Sequence, residues 1–335
     1  MRKYFRCELK KFFSYCLFAT ILLTIGLVLW QATHNNTFLS GDSGVGVTYF
    51  GLSVLAFINP IVVYSFKMKT KSVDEYYSLP IKREKLYLIR TLVGVCLTLI
   101  PFTVAYWIGA LLALCRMGMT YQMQWYFIGY PVFLLLGACL FVFNAFAFTR
   151  ANRVLDGILF MAAYSLLGGL IIAYVIKAAH VVAFWWIDEG FVAWGAINIF
   201  GRFINGLIVG SAGAHCTWWV FLYPLITGIA CFVGLYVSAK KERAENAEQI
   251  SEGWFCYKLL IPVFTALSIG LMPFSWLGFA LIVAGSIAVT IIYRRVILFS
   301  WKYWLMLAIG VSVGIVLMFL VGALAPPIVN PPDFA

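Results

Sequence analysis

The chain has 335 residues, of which 63% are hydrophobic and only 11% are charged, and its mean hydropathy is +0.95. Because so few charged side chains cannot cover a water-soluble globule, the composition excludes a soluble protein and predicts an integral membrane protein. The formal net charge of +11 is explained by basic loops beside an anionic lipid bilayer, so no nucleic acid partner is expected.

The first predicted element is an amphipathic helix over residues 1–13. Phe5 and Leu9 recur on one face at helical spacing, and Arg6 and Lys10 lie beside them. This pattern is typical of a helix that lies in the headgroup region of an anionic membrane surface. A plain basic flank of the first membrane span is the alternative that the residues leave open.

Apolar runs that could form membrane spans follow along the rest of the chain. They cover residues 14–31, 47–66, 91–114, 127–148, 155–176, 218–238, 257–273, 275–293 and 303–325. The polar linker 239–256 separates a six-helix block, residues 14–238, from a C-terminal block of about three transmembrane helices, residues 257–325. An external tail, residues 326–335, ends the chain. The predicted fold class is an all-α polytopic membrane protein.

Basic residues predict the orientation of these spans, since loops rich in Lys and Arg stay on the cytoplasmic side. Of the 24 Lys and Arg, all but Arg116, Lys177 and Arg202 fall on the side of the N-terminus. We therefore expect a cytoplasmic N-terminus and a cytoplasmic loop over residues 67–90.

The largest predicted external feature is the segment 177–217. Its apolar run 191–210 is long enough to span, but a span there would move seven later Lys and Arg residues to the outside. We expect it instead to lie in the outer interface or to dip into it as a re-entrant segment. The side chains that suit such a position are Trp185, Trp186, Trp194 and Arg202.

Motifs for covalent chemistry or nucleotide binding are absent from the sequence. It contains neither a P-loop nor an H-E-x-x-H pattern, so the chain itself is expected to bind no cofactor and not to be an enzyme. The predicted spans hold essentially no ionisable residue, which disfavours an ion-coupled carrier. Asn59 and Asn144 lie deep in them, where hydrogen bonding between helices is their expected role.

The most polar stretch in the first half of the chain is VDEYYSLPIKREKL, residues 73–86. Pro80 forbids a continuous helix and restricts Leu79 to extended geometry. The sequence therefore predicts a short helix over residues 72–77, then a turn, then a new helix from Arg83.

This short helix carries a predicted cap and a predicted contact surface. Ser72, followed three residues later by Glu75, fits a capping box. Tyr76, Tyr77 and Leu79 are expected to be presented to a soluble partner. An ordinary basic loop with interfacial tyrosines is the alternative.

The loop sequence YYSLPIKREKLYLIR, residues 76–90, resembles the S-L-P-[IV]-x-R-x-x-L pattern of ABC-2 type permeases, the membrane subunits of bacterial ABC exporters. The amphipathic N-terminal helix, the six-helix block and the long external segment are similar to that family too, over the first 238 residues. The linker residues 240–249 resemble an element that follows the sixth helix in permeases of acetoin, bacteriocin or amphipathic-peptide operons. Glu248 stands where that element has glycine.

The resemblance implies a six-helix ABC-2-like permease block whose residues 72–85 form a coupling helix in a cleft of a separate ATPase subunit. The implied coupling residues are Ser72, Asp74, Glu75, Tyr76, Tyr77, Leu79, Pro80 and Arg83. The N-terminal helix, with Phe5, Arg6, Leu9 and Lys10, would lie alongside, and the segment 177–217 would be the external gate. ATP and Mg would be bound by the ATPase partner.

The implied function is the export of a hydrophobic or amphipathic small molecule or peptide across the bacterial plasma membrane. Two permease subunits, identical or different, would alternate between inward-facing and outward-facing states. Two other classes stay open, a sensor or scaffold subunit without transport and a membrane-embedded enzyme. An enzyme would need clustered ionisable residues, for which Asp188, Glu189 and His180 are the positions to test.

Overall fold

The computed structural model describes residues 2–33, 42–78, 81–117, 123–180, 222–241, 248–249, 251, 255–271, 276–294 and 301–324. Every regular element within these residues is helical. In chain order the helices are α1 (Arg2–Lys11), α2 (Phe13–Thr33), α3 (Asp42–Tyr64), α4 (Thr70–Tyr77), α5 (Arg83–Met117), α6 (Met123–Thr149), α7 (Val154–His180), α8 (Leu222–Lys241), α9 (Tyr257–Leu271), α10 (Trp276–Arg294) and α11 (Trp301–Leu324). A single 3-10 turn, Ser65–Met68, joins α3 to α4.

Five of the described helices, α2, α3, α5, α6 and α11, are long and apolar enough to cross a membrane. Shorter apolar stretches lie in α7, α8, α9 and α10. The all-helical part of the predicted fold class is confirmed over the described residues, and the five helices are compatible with a polytopic membrane protein. The number of spans and the permease layout stay predictions.

The helix α5 is long enough to leave the apolar layer of a membrane. Its 35 residues correspond to about 52 Å of helix, against about 30 Å of hydrocarbon in a bilayer. The first turn of α5 is polar and contains Arg83, Glu84 and Lys85. In a bilayer we therefore expect α5 to extend beyond the hydrocarbon at its polar N-terminal end, which α4 precedes.

The chain divides into two compact units. Unit 1 comprises Met1–Met161 and Phe200–Gln249, and unit 2 comprises Ala162–Ile199 and Ile250–Ala335. One boundary lies in the linker that the sequence predicts between the two blocks. Another of the three boundaries falls inside α7, so that the second part of this helix belongs to unit 2.

The interior of unit 1 lies between α3, α5 and α6, with α2 packed on α5 and α8 packed on α6. Its core is aromatic, with fully buried Phe102, Tyr106 and Phe133 in ring contact with one another. α5 and α6 approach closely at Gly94, because a Cβ atom there would lie only 2.0 Å from the Phe141 ring. The absence of a side chain at Gly94 thus lets the Phe141 ring of α6 pack directly on α5.

The two buried asparagines join the helices of unit 1, as the sequence predicts. The Asn59 amide donates to Thr98 Oγ1 at 2.8 Å and its Oδ1 accepts a bond from the Tyr15 hydroxyl at 2.7 Å. Asn144 Nδ2 donates to the Ala56 carbonyl oxygen at 3.0 Å. Since Pro60 lacks an N–H, the Ala56 carbonyl has no helical donor, and Asn144 supplies it from α6.

In unit 2, α9 and α11 run parallel and in close contact. A Cβ atom on Gly310 would lie 2.8 Å from the Pro262 carbonyl oxygen, and one on Gly314 would lie 2.9 Å from that of Ala266. Both pairs advance by four residues in the same direction, which establishes the parallel orientation. Small residues allow this approach where apolar helices pack without help from water.

Replacing Gly310 with leucine is expected to lower the free energy of unfolding by about 1–3 kcal/mol, because the new side chain meets helix backbone that cannot yield. Gly285→Leu is the matched control, since no atom lies within 4 Å of a Cβ there. Thermal unfolding in mild detergent measures both. Equal melting temperatures for the two variants would contradict the close packing of α9 and α11.

Candidate functional site

The short helix α4, Thr70–Tyr77, lies between α3 and α5 and outside the apolar stretches of both. Lys71, Asp74 and Glu75 are exposed on one face, whereas Val73 is buried and Tyr76 is half-buried on the other. Ser78 ends the helix. Its N–H donates to the Asp74 carbonyl at 3.1 Å, and its hydroxyl donates to the Glu75 carbonyl at 2.8 Å.

The capping box predicted for this helix is wrong. The helix begins at Thr70 with Lys69 as its N-cap, and the Lys69 side chain makes no capping hydrogen bond. A 3-10 turn ends just before Lys69, and the N–H groups of Ser72 and Val73 already donate to the Lys69 carbonyl. Ser72 therefore lies inside the helix. The predicted start of the next helix at Arg83 is confirmed.

Five side chains from α1, the 3-10 turn, α4 and α5 form what we name the Arg90 cluster: Glu8, Lys11, Phe66, Tyr76 and Arg90. The Arg90 guanidinium carbon lies 4.4 Å from the centroid of the Phe66 ring and 4.4 Å from that of Tyr76. The two rings lie 4.7 Å apart, centroid to centroid. Tyr76, predicted to face a partner, thus packs towards the protein. The Tyr77 side chain, Leu79 and Pro80 lie outside the described residues.

Arg90 is almost completely buried, with an exposed fraction of 2%. Its Nη1 donates to the Val63 carbonyl oxygen at 2.9 Å, and its Nη2 donates to Glu8 Oε1 at 3.1 Å. A buried charge is tolerated only with such partners, and a desolvated cation–π contact contributes about 2 kcal/mol. The ion pair therefore fixes α1 to α5.

Lys11 makes a second connection between α1 and α4. Its Nζ donates to the Tyr76 hydroxyl at 2.8 Å, and this hydrogen bond raises the pKa of Lys11. Burial, together with the nearby Glu8 carboxylate, raises the pKa of Tyr4 to about 12. Both groups therefore keep their protons at neutral pH, with Lys11 positively charged and Tyr4 neutral.

The face of α1 that packs inward differs from the apolar face predicted for it. Phe5 and Leu9 are half-buried and Arg6 and Lys10 are exposed, but the deeply buried residue is Glu8. Sequence reasoning missed Glu8 and treated Arg90 as a loop charge. The available signal was that Glu8 is the lone acidic residue of a strongly basic helix, which demands a cationic partner.

The linker residue Glu248 contacts two parts of unit 1. Its N–H donates to the Asn152 carbonyl at 3.0 Å, and its own carbonyl accepts a bond from Arg153 Nε at 2.8 Å. Its Oε1 accepts a long hydrogen bond, 3.5 Å, from the N–H of Thr70 at the start of α4. The linker is thus held against the turn between α6 and α7 and against α4.

Glu248 has a φ angle of 64°, in the left-handed region that favours glycine. We expect Glu248→Gly to be more stable than Glu248→Ala by about 1 kcal/mol, because both variants lose the Thr70 contact but only alanine keeps the backbone strain. Chemical unfolding of the two variants side by side measures the difference. An alanine variant as stable as the glycine variant would contradict the strain.

A third set of contacts joins α8 to the first turn of α5. The Tyr236 hydroxyl donates to Glu84 Oε2 at 2.7 Å, and Lys240 Nζ lies 3.8 Å from Glu84 Oε1. Lys67 of the 3-10 turn donates to the Thr149 carbonyl at the end of α6. The elements on either side of α4 in the chain are therefore tied to other helices, the 3-10 turn to α6 and the first turn of α5 to α8.

The remaining predicted residues lie outside the described part of the chain. These are the residues of the external gate, Trp185, Trp186, Trp194 and Arg202. Within the described residues, no group of three His, Cys, Asp or Glu side chains could hold a metal ion. The exposed polar face of α4 is backed by contacts of Tyr76 with α1 and α5.

No protein-family model, curated protein or solved structure is significantly similar to the chain. Support for a function comes instead from the geometry of α4 and its neighbours. Asp74 and Glu75 form an exposed charged face of α4, and Arg90 of α5 lies behind them in contact with side chains of α1, the 3-10 turn and α4.

Proposed function

We propose that the chain is the membrane subunit of an ATP-driven transporter and that α4 is its coupling helix. The observation that carries this proposal is the two-sided character of α4. Its exposed face bears Lys71, Asp74 and Glu75, and its inner face is tied through Tyr76 to Arg90. A helix built in this way can receive a force from a soluble partner and pass it to membrane helices.

The proposed path of this force runs through the Arg90 cluster. A push on α4 displaces Tyr76, whose ring contacts the Arg90 guanidinium and whose hydroxyl binds Lys11. Arg90 belongs to α5 and is paired with Glu8 of α1, so both helices move with it. Because packed cores deform little, the displacement is carried along α5 as a rigid body.

The linker adds further support. The permease element that the linker resembles has glycine at the place of Glu248. The φ angle of Glu248 is one that glycine adopts readily. The linker also lies against the first residue of α4, Thr70. A movement of the coupling helix would therefore also displace the linker, which leads out of unit 1.

In this proposal the partner ATPase subunits bind ATP and Mg, and closure of two of them drives a pair of permease subunits between two states. The pair is formed by two copies of this chain or by this chain and a sister permease. The substrate is a hydrophobic or amphipathic small molecule or peptide, exported from a bacterial cell across the plasma membrane. The N-terminus and α4 are cytoplasmic.

The experiment that tests the proposal is reconstitution of the purified complex into vesicles. ATP-dependent movement of an amphipathic fluorescent probe, with ATP hydrolysis stimulated by that probe, is expected. A complex that contains an ATPase, but whose rate of ATP hydrolysis is unchanged by every amphipathic probe and which transports none of them, would favour a sensor or scaffold subunit. A matched preparation with Tyr76→Ala retains the exposed face of α4 and is expected to bind the ATPase without coupling it.

A further inference from the structure

Unit 2 contains a cavity of about 760 Å³ that is lined by residues of α7, α9, α10 and α11. This volume lies within the range of about 300–1,000 Å³ that is typical of ligand pockets. Most of its wall is apolar, formed by Ile171, Leu259, Val263, Leu267, Val313 and Leu317. Such a wall favours an alkyl chain over a polar ligand.

One end of the cavity is basic. Lys258 and Lys302 line it, and each is the second residue of its helix, α9 and α11. Because these helices run parallel, both helix N-termini lie at the same end of the cavity, where their partial positive charge adds to that of the lysines. Neither lysine forms an ion pair among the described residues.

The cavity also meets the outer surface of α11. Ile309 and Val313 line it and nevertheless have exposed fractions of 54% and 46%. In a membrane these side chains face lipid, so an acyl chain can enter the cavity sideways from the bilayer. The lysines at the helix ends are then at the depth of the lipid headgroups.

We propose that this cavity is a binding site for an anionic phospholipid of the surrounding bilayer. An acyl chain lies along the apolar wall, and the phosphate lies between Lys258 and Lys302. A basic pocket between membrane helices selects anionic headgroups over zwitterionic ones, because the positive group of a zwitterionic lipid is repelled. The site is independent of the proposed coupling helix and concerns unit 2 alone.

Native mass spectrometry of the full chain tests the site with phosphatidylglycerol and phosphatidylcholine as probes. The chain is expected to retain phosphatidylglycerol in preference. Lys258→Gln and Lys302→Gln are each expected to reduce that preference about fivefold. The control is Lys82→Gln with Lys85→Gln, two exposed lysines of unit 1. An unchanged preference in the first two variants, or an equal loss in the control, would overturn the proposal.

The apolar part of the site has its own test. Val313→Trp fills the cavity and is expected to lower the retention of both lipids, whereas Val316→Trp, on the exposed surface of α11 and outside the cavity wall, is not. Equal lipid retention in these two variants would contradict binding of an acyl chain inside the cavity. Displacement of phosphatidylglycerol by an equal concentration of palmitate would identify a free fatty acid as the occupant and overturn the proposal of a phospholipid site.

Discussion

Replacing Arg90 with alanine is expected to lower the free energy of unfolding by about 3–5 kcal/mol. The variant leaves the Glu8 carboxylate buried without its cation and removes the guanidinium from between Phe66 and Tyr76. It also takes away the donor to the Val63 carbonyl. Denaturant unfolding in mild detergent, followed by circular dichroism, measures the loss.

Two further variants separate the ion pair from the general effect of losing an arginine. Arg6→Ala removes an exposed arginine of α1 and is expected to change stability by about 0.5 kcal/mol or less. Adding Glu8→Leu to Arg90→Ala is expected to recover part of the loss, because it removes the unpaired buried carboxylate. An Arg90→Ala variant as stable as Arg6→Ala would show that the cluster does not hold α1 and α5 together.

Reversing the charge of the exposed acidic pair in α4, by Asp74→Lys with Glu75→Lys, is expected to weaken binding of the proposed ATPase partner at least about tenfold. Charge complementarity fixes which partner docks, and a like-charge contact in an interface costs several kcal/mol. Both residues are exposed and outside the Arg90 cluster, so the melting temperature of the free chain is expected to stay unchanged. Quantitative co-purification of the ATPase measures the effect.

The matched control for this prediction exchanges the two acids in place, Asp74→Glu with Glu75→Asp. It keeps both charges on the exposed face and is expected to retain the ATPase. Reduced binding in this control as well would mean that side-chain shape, and not charge, determines docking. Full binding by the charge-reversed variant would exclude this face of α4 as the docking surface.

The positions of the long helices could be predicted because a lipid-embedded chain has few structural choices. Backbone groups in hydrocarbon must be satisfied internally, so each apolar run of sufficient length forms a helix. The run 127–148, for example, lies inside α6, and the run 303–325 coincides with α11 to within two residues at each end. The break between α4 and α5 was equally predictable, since Pro80 excludes a continuous helix from one into the other.

The Arg90 cluster could not be predicted, because it depends on a contact across 82 residues. In the sequence, Arg90 is one of several basic residues before an apolar run, and Glu8 is one acidic residue in a basic helix. Nothing local indicates that the two form a pair. Their pairing requires α1 to fold back beside α5, which no local pattern specifies. The inward direction of Tyr76 was better signalled, since Tyr76 follows the apolar Val73 at a spacing of three, on the same helix face.

The start of α4 shows that a local sequence pattern can place a helix boundary wrongly. A Ser-x-x-Glu pattern predicts a cap at Ser72, but the 3-10 turn after α3 moves the helix start to Thr70. The contact of Glu248 with Thr70, 178 residues away in sequence, then lies at that start. Tertiary contacts thus decide where this short helix begins, since eight residues have little helical stability of their own.

The measurement that tests the central claim most directly is the identity of the proteins that co-purify with the tagged chain from its native host in mild detergent. The account predicts a P-loop ATPase beside the unaltered chain and beside Asp74→Glu/Glu75→Asp, and its loss from Asp74→Lys/Glu75→Lys. If no ATPase accompanies the unaltered chain, or if the charge-reversed variant retains it in full, α4 is not a coupling helix.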